Sequence, residues 1–429
     1  MNQLARRISI SEGVVLAICS LIGSGLLGLP GLAIEAGGAR AAALAWPLIM
    51  LISVPLVVVF LTLSLDVQNA GGVATYAGLA VGKWAETAVT FVLALTFMLC
   101  IPVGTYMGAA YIQKIPLLQQ AMPQSGSLLI AGAILVASTV LNYLGIKPAA
   151  WINKASVFAL LALIAFIVAN NHGVLGRGLQ AYRDSASHLD EVSVHQLWAV
   201  CAVLFWAFLG WENLSFGSEE TTGGARAIRW IFAIAFVSVS AVYAMLALIA
   251  AGAHDAGLNI SGVTGMLALV GGSVFSPVAY LLIVLIVVAN VNSWVFAASR
   301  LMYAAGRSRI LPAQLGRLSK DSIPRVSLLS MLAVYLVLTA FIHSDWLPLT
   351  TGLAIGNQNF IVLYVAAILC YAKRNVTPWG MLVTALAFVS CSFLIVGFGK
   401  LLVVPLAMMV MGYAIHRHRT RIATAGAVA

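Results

Sequence analysis

Charge is what this sequence lacks. Only 8% of its 429 residues are Asp, Glu, Lys or Arg, against 62% hydrophobic residues. A soluble domain carries about a quarter charged residues. A chain of this size with so few cannot clothe itself for water, so lipid must be its main solvent. Acids are the scarcer sign, 13 against 23 bases, for a net charge of +10. A nucleic-acid partner would need those bases gathered on one folded face. They are spread instead over short connectors between apolar runs, which excludes that partner class. Cysteine is limited to Cys19, Cys100, Cys201, Cys370 and Cys391, all inside apolar runs and none in a CxxC pair. They read as small buried hydrophobes and not as disulfides or metal ligands. The seven histidines fall in connectors or the tail, where His416 and His418 belong to a basic HRHRTR anchor. No GxxxxGK[ST] phosphate loop is present, so nucleotide drive within this chain is not expected. No metal or cofactor is expected either. The first apolar run meets Pro30 and Gly31 and is followed by more spans, so it reads as a membrane helix and not as a cleavable signal.

What is present is long apolar runs. A helix of about 17–25 residues crosses a bilayer, and twelve such spans are predicted: 12–35, 42–65, 87–112, 127–145, 149–170, 196–217, 230–252, 276–299, 326–342, 347–371, 379–396 and 400–415. The last two share a tight hairpin near Gly397, Gly399 and Lys400. With this topology 18 of the 23 Lys and Arg fall on the side that holds both termini. The positive-inside rule therefore predicts cytoplasmic N- and C-termini in a bacterial inner membrane. On the outer side 171–195 is a polar connector, and 257–272 is read as a short helix over the mouth. On the inner side 300–325 is basic and partly helical.

Two spans carry the sequence signs of a break. Span 1 reads Cys19-Ser20-Leu21-Ile22-Gly23-Ser24-Gly25-Leu26, with two glycines at mid-membrane. Glycine costs a helix about 1 kcal/mol relative to alanine. Span 6 reads Phe205-Trp206-Ala207-Phe208-Leu209-Gly210-Trp211-Glu212, with a glycine at the same depth. Irregular backbone is tolerated inside a bilayer only where it lines a cavity or is buried in protein. Interrupted helices at corresponding places in two halves of a chain point to a substrate site between inverted repeats. The amide end of a half-helix suits a carboxylate and its carbonyl end suits an ammonium. An amino-acid zwitterion needs both. The bland alternative is that these glycines serve only close helix packing.

These residues resemble a known group. Gly23 to Pro30, Asn69 to Tyr76, Phe205 to Glu212, and Ser299 to Arg307 followed by Leu311-Pro312 and Ile323-Pro324-Arg325 are similar, in order and spacing, to blocks of the amino acid–polyamine–organocation (APC) superfamily. Ala45-Trp46-Pro47 and Ile101-Pro102-Val103-Gly104 resemble its bacterial branch that exports L-methionine and branched-chain amino acids. One departure is Thr221-Thr222-Gly223-Gly224-Ala225-Arg226, where the superfamily often has Asn-Pro-x-Arg. The resemblance implies an all-α membrane fold of five helices repeated in inverted orientation, leucine-transporter-like, with helices 1 and 6 broken. The repeats would cover about 12–170 and 196–371, with two extra helices over about 379–415. By the same resemblance Ile22, Gly23, Ser24, Gly25 and Leu26 would hold the substrate carboxylate. Carbonyls around Phe205, Phe208 and Leu209 would take the ammonium, with Gly210 in the same substrate-binding stretch, and Trp206 and Trp294 would face the substrate; the alternative for either tryptophan is packing or a lipid-facing position.

Glu212 is the one acid placed inside a span. A carboxylate there costs about 2.5–3.5 kcal/mol on insertion scales, and desolvation favours its neutral form. It is read as a proton carrier or gate; the competing reading is a carboxyl that only fastens span 6 to a neighbour. Asn290, Asn292, Asn357 and Asn359 are polar at depth and are read as cross-helix hydrogen bonds. With no second deep acid to meet a cationic side chain, a neutral apolar substrate fits better than arginine or a polyamine. The expected function is proton-coupled secondary transport of such amino acids by alternating access; efflux is what the family resemblance implies. The alternative is an uptake permease or exchanger of the same superfamily. A membrane enzyme would need a metal cluster or a paired acid or Ser/Lys dyad at depth, and none is seen. A channel would show a charged ring or a carbonyl filter.

Overall fold

The computed structural model describes residues 6–122, 125–396 and 402–428. The hairpin expected around Gly397, Gly399 and Lys400 lies outside the described residues. Among the described residues, the chain is helix, turn and loop, with one isolated parallel bridge between Ile8 and Thr221. Ten helices among the described residues are long and apolar enough to cross a membrane.

Span 1 begins with α1 (Ile10–Leu21), started by a reciprocal capping box between Ser9 and Glu12. The chain leaves helical geometry at Ile22 and regains it at Gly28, where α2 (Gly28–Asp66) begins. This 39-residue helix contains the second half of span 1 and all of span 2, joined at Gly38, whose φ of 85° and ψ of 166° break the helix. The sequence sets the two spans apart at 35 and 42, and the structure turns between them within a single glycine.

A short α3 (Gly72–Val81) leads into α4 (Lys83–Gln113), which is span 3. After α5 (Pro116–Ala121), spans 4 and 5 are α6 (Gly126–Leu144) and α7 (Ile146–Asn170). The polar connector expected at 171–195 is largely an amphipathic helix, α8 (Val174–Ser187), which packs its buried Gly178 on the backbone of Leu248. Val174, Leu175, Gly178, Tyr182 and Ser185 fall on one side of it at helical spacing, a stripe that an overall polarity reading hides.

Span 6 starts with α9 (Val194–Leu204), again behind a capping box, here Ser193 with Gln196. It tightens into a 3-10 turn over Phe205–Phe208, passes through extended Leu209, and resumes as α10 (Trp211–Gly217). Span 7 is α11 (Gly224–Asp255) and span 8 is α12 (Ser276–Arg307), a full two turns longer than predicted. The 257–272 segment is a loop with a 3-10 turn at Gly265–Leu269; its carbonyls at Ile260 and Gly262 pack on Gly31 of α2. Spans 9 and 10 are α13 (Arg325–His343) and α14 (Leu349–Arg374). They are followed by α15 (Pro378–Val396) and α16 (Val403–Val428). α16 lies along α4, with Gly412 against Ala88 and Tyr413 edge-on to Trp84 at 5.7 Å.

One face of the bundle, called the terminal face here, gathers the N-terminal segment, the end of span 6 and the end of span 8. Arg7 and Ile8 donate backbone N–H groups to the Glu220 carbonyl at 2.9 Å, and Thr222 N–H returns to Ile8 at 2.8 Å. This short pairing ties the start of span 1 to the end of span 6. The opposite face carries Arg40, which pairs with Asp184 of α8 and with Glu191 beyond it.

Candidate functional site

The two breaks lie side by side. Gly210, at φ 130°, takes a conformation that L side chains rarely adopt, and a Cβ added there would lie 3.3 Å from the Ser20 carbonyl oxygen and the Leu21 side chain. A helix break leaves its last carbonyls without partners, and here other helices supply them. The Cys19 carbonyl accepts from Asn290 Nδ2 at 2.6 Å. The Ser20 carbonyl accepts from Trp294 Nε1 at 2.8 Å and Asn290 Nδ2 at 3.2 Å. The Leu21 carbonyl accepts from the Tyr243 hydroxyl at 3.0 Å, and the Ser24 carbonyl from the Tyr111 hydroxyl at 2.6 Å. The break in span 1 is thus a built feature, satisfied by α4, α11 and α12.

A narrow cavity sits where the breaks meet. Span 1 contributes Ser20, Leu21, Gly23, Ser24 and Gly25, and span 6 contributes Trp206 and Leu209. Cys100, Ile101, Gly104 and Thr105 of α4 and Asn290, Val291 and Trp294 of α12 complete it. None of these side chains carries a charge at neutral pH. Its free volume of about 20 Å³ is room for a water molecule rather than an amino acid.

Of the residues singled out in the sequence, Gly23, Ser24, Gly25, Trp206, Leu209 and Trp294 line this cavity. Ile22, Leu26, Phe205, Phe208 and Gly210 are buried beside it without lining it. Phe205 turns edge-on to Tyr364 at 5.7 Å, and Phe208 packs on Tyr243 at 6.0 Å. The Phe208 carbonyl faces the Tyr364 hydroxyl at 3.5 Å. Trp294 lies edge-on to Phe97 and Phe360, at 5.8 Å from each, with its indole N–H spent on Ser20. Trp206 lies between α4 and α14, over Gly104 and Gly356. It also borders an apolar recess of about 300 Å³ toward the opposite face, lined by Leu29, Leu32, Val203 and Leu353. Its indole therefore stands between that recess and the central cavity. The α4 contribution was not read as a site from the sequence; its only signal was the Ile101-Pro102-Val103-Gly104 block.

Glu212 is fully buried in the first turn of α10, the second half of span 6. Its Oε2 accepts from Gly210 N–H at 3.2 Å and from the Tyr364 hydroxyl at 2.8 Å. It does not line the cavity. It caps the amide end of α10, next to the break, and joins it to α14.

Glu212 is not the only buried acid, although the second lies at the terminal face and not at mid-membrane. Glu220 is 1% exposed and meets Arg300, 2% exposed, at 2.8 Å. The Arg300 guanidinium also lies 3.8 Å over the Phe296 ring. The next pair, Arg307 with Glu219 at 3.3 Å, is only partly buried. Both arginines fall in the connector predicted after 299, and the structure instead carries α12 on to Arg307. These pairs close the terminal face between span 6 and span 8, beside a polar recess of about 670 Å³ lined by Asn69, Thr75, Glu86 and Arg307.

The family profile described as "Amino acid permease" matches residues 9–414, nearly the whole chain. The chain belongs to the amino acid permease family. Among its relatives, the uncharacterized amino acid permease YecA of Bacillus subtilis is 26% identical over 422 residues, covering 96% of each chain. The L-methionine/branched-chain amino acid exporter YjeH of Escherichia coli is 24% identical over 381 residues, covering 87% of each chain. The human cystine/glutamate transporter is 25% identical over 388 residues, 86% of this chain and 74% of that one. In structure, this permease is similar to MhsT in its complex with L-phenylalanine, with a TM-score of 0.61 at 17% identity, covering 93% of this chain and 99% of that one. That likeness carries the fold: a leucine-transporter-like bundle with helices 1 and 6 broken. The permease is a multi-pass membrane protein of amino acid transport.

Proposed function

We propose that this permease is a proton-coupled exporter of neutral, apolar L-amino acids, with methionine and the branched-chain amino acids as substrates. In this reading the terminal face is cytoplasmic in a bacterial inner membrane, as the Lys and Arg distribution favours. Residues 12–170 and 196–371 are the two inverted repeats, with 379–415 added. Span 1 and span 6 move together, which the Ile8–Thr221 pairing supports.

The observation that carries the reading is the uncharged cavity at the joined breaks, walled by Ile101, Trp206, Leu209, Val291 and Trp294. A zwitterion finds peptide dipoles there for its two ends. A cationic or anionic side chain would find no counter-charge and would pay a desolvation cost. The relative named as an L-methionine/branched-chain exporter supports the same substrate class. Carboxylate binding is assigned to Ile22, Gly23, Ser24, Gly25 and Leu26, and ammonium binding to carbonyls of Phe205, Phe208, Leu209 and Gly210. Trp206 and Trp294 are assigned to the side-chain wall. Glu212 is assigned to proton coupling: it touches Gly210 directly, so a change in its charge is felt at the break.

Reconstituted vesicles loaded with labelled methionine test this. Acid outside should accelerate loss of label, because inward protons drive an exchanger of this kind. Accumulation of external methionine under the same gradient would instead mark an uptake symporter. Unlabelled leucine should compete, and arginine should not. Glu212→Gln should retain counterflow and lose the pH response. A pH response unchanged in Glu212→Gln would refute the coupling role.

A further inference from the structure

The group nearest the break in span 1 is a side chain of the protein itself. The Asn290 carboxamide donates from Nδ2 to the Cys19 and Ser20 carbonyls and accepts at Oδ1 from the Ser24 N–H at 3.4 Å. One planar group therefore touches both poles of the break, the carbonyl end of α1 and an amide beyond it. A zwitterion would use the same two kinds of group, ammonium toward carbonyl and carboxylate toward N–H. Asn290 is also pressed into the break: a Cβ added at Gly23 would collide with its Cβ and Cγ. It lines the cavity whose free space is only about 20 Å³.

The rest of α12 is braced to hold it there. On a neighbouring face, Asn292 Nδ2 donates to Asn153 Oδ1 at 2.9 Å and Asn142 Nδ2 donates to Asn292 Oδ1 at 2.8 Å. Asn153 Nδ2 in turn donates to Ser293 at 3.0 Å. These bonds lock α12 to α6 and α7, so the Asn290 position is set by the fold.

We propose that Asn290 is a built-in stand-in for the substrate: in the substrate-free protein its carboxamide occupies the break in span 1, including the Ser24 amide assigned above to the substrate carboxylate, and an amino acid binds by displacing it from that amide. This rests on the substrate reading above. Asn290 is a positioning residue whose side chain competes with the ligand, so it lowers affinity while keeping the empty site from opening to water. The exchange is nearly balanced, because one set of hydrogen bonds replaces another. That balance keeps the substrate easy to release.

Asn290→Ala and Asn290→Ser, neither able to span both poles, test the proposal. Two measurements on detergent-purified protein are needed. In hydrogen–deuterium exchange without substrate, the peptide covering residues 19–28 should exchange faster in both variants than in the parent. In leucine binding, both should bind more tightly, by roughly tenfold, the worth of one or two net hydrogen bonds. Weaker leucine binding in the variants would make Asn290 a direct ligand and overturn the proposal. Unchanged exchange over 19–28 would overturn it whatever the substrate proves to be. If the parent protein binds neither leucine nor methionine, the substrate reading fails, and the exchange measurement still decides whether Asn290 occupies the break.

Discussion

The two broken spans solve one problem with different materials. Each begins with a capping box, Ser9 with Glu12 and Ser193 with Gln196, as a short half-helix needs its own start. Beyond that they diverge. Span 1 breaks over small residues, Gly23, Ser24 and Gly25, and its loose carbonyls are taken up by Asn290, Trp294 and Tyr243 from other helices. Span 6 breaks over bulky ones, Phe205, Trp206, Phe208 and Leu209, and is fastened by a carboxyl of its own, Glu212. Span 1 therefore gives the cavity small residues and Ser24, and span 6 gives it the apolar side chains of Trp206 and Leu209.

The comparison can be broken at the point of closest approach. Gly23→Val would drive two methyl groups into the Asn290 side chain. We expect counterflow in vesicles to fall to background while the protein still purifies as a monodisperse species. Next in size is the buried pair that anchors span 6 to span 8. Arg300→Met leaves Glu220 unpaired in a dry site and should cost about 3–5 kcal/mol in unfolding free energy. Adding Glu220→Gln to it should recover part of the loss, read as the melting temperature in detergent. The smallest effect tests the shared feature. Ser9→Ala and Ser193→Ala should each cost about 1 kcal/mol, and similar melting shifts for the two would show that both half-helices depend equally on their caps.

Much of the fold was legible. Apolar runs of bilayer length located the spans, and glycines at matched depth in spans 1 and 6 located the breaks. What escaped were features that depend on partners far along the chain. Glu220 and Arg300 fall beyond the predicted ends of spans 6 and 8, yet they pair in a buried site across 80 positions. α8 was hidden because its apolar stripe has meaning only against α11. In the cavity, the glycines and tryptophans were conspicuous by type, while Thr105 and Val291 are ordinary residues for a membrane helix. Asn290 was visible as a polar residue at depth, but nothing in its neighbours says that it faces Cys19, Ser20 and Ser24.

The sequence by itself determined the solvent, the spans and the places where helix would fail, because hydropathy and glycine act locally and need no partner. The tertiary structure alone decided which carbonyls of the broken backbone are already bonded, which acids are paired and which wall Trp206 completes. Each of those is a contact between segments tens to hundreds of residues apart, and chain order does not encode distance in space.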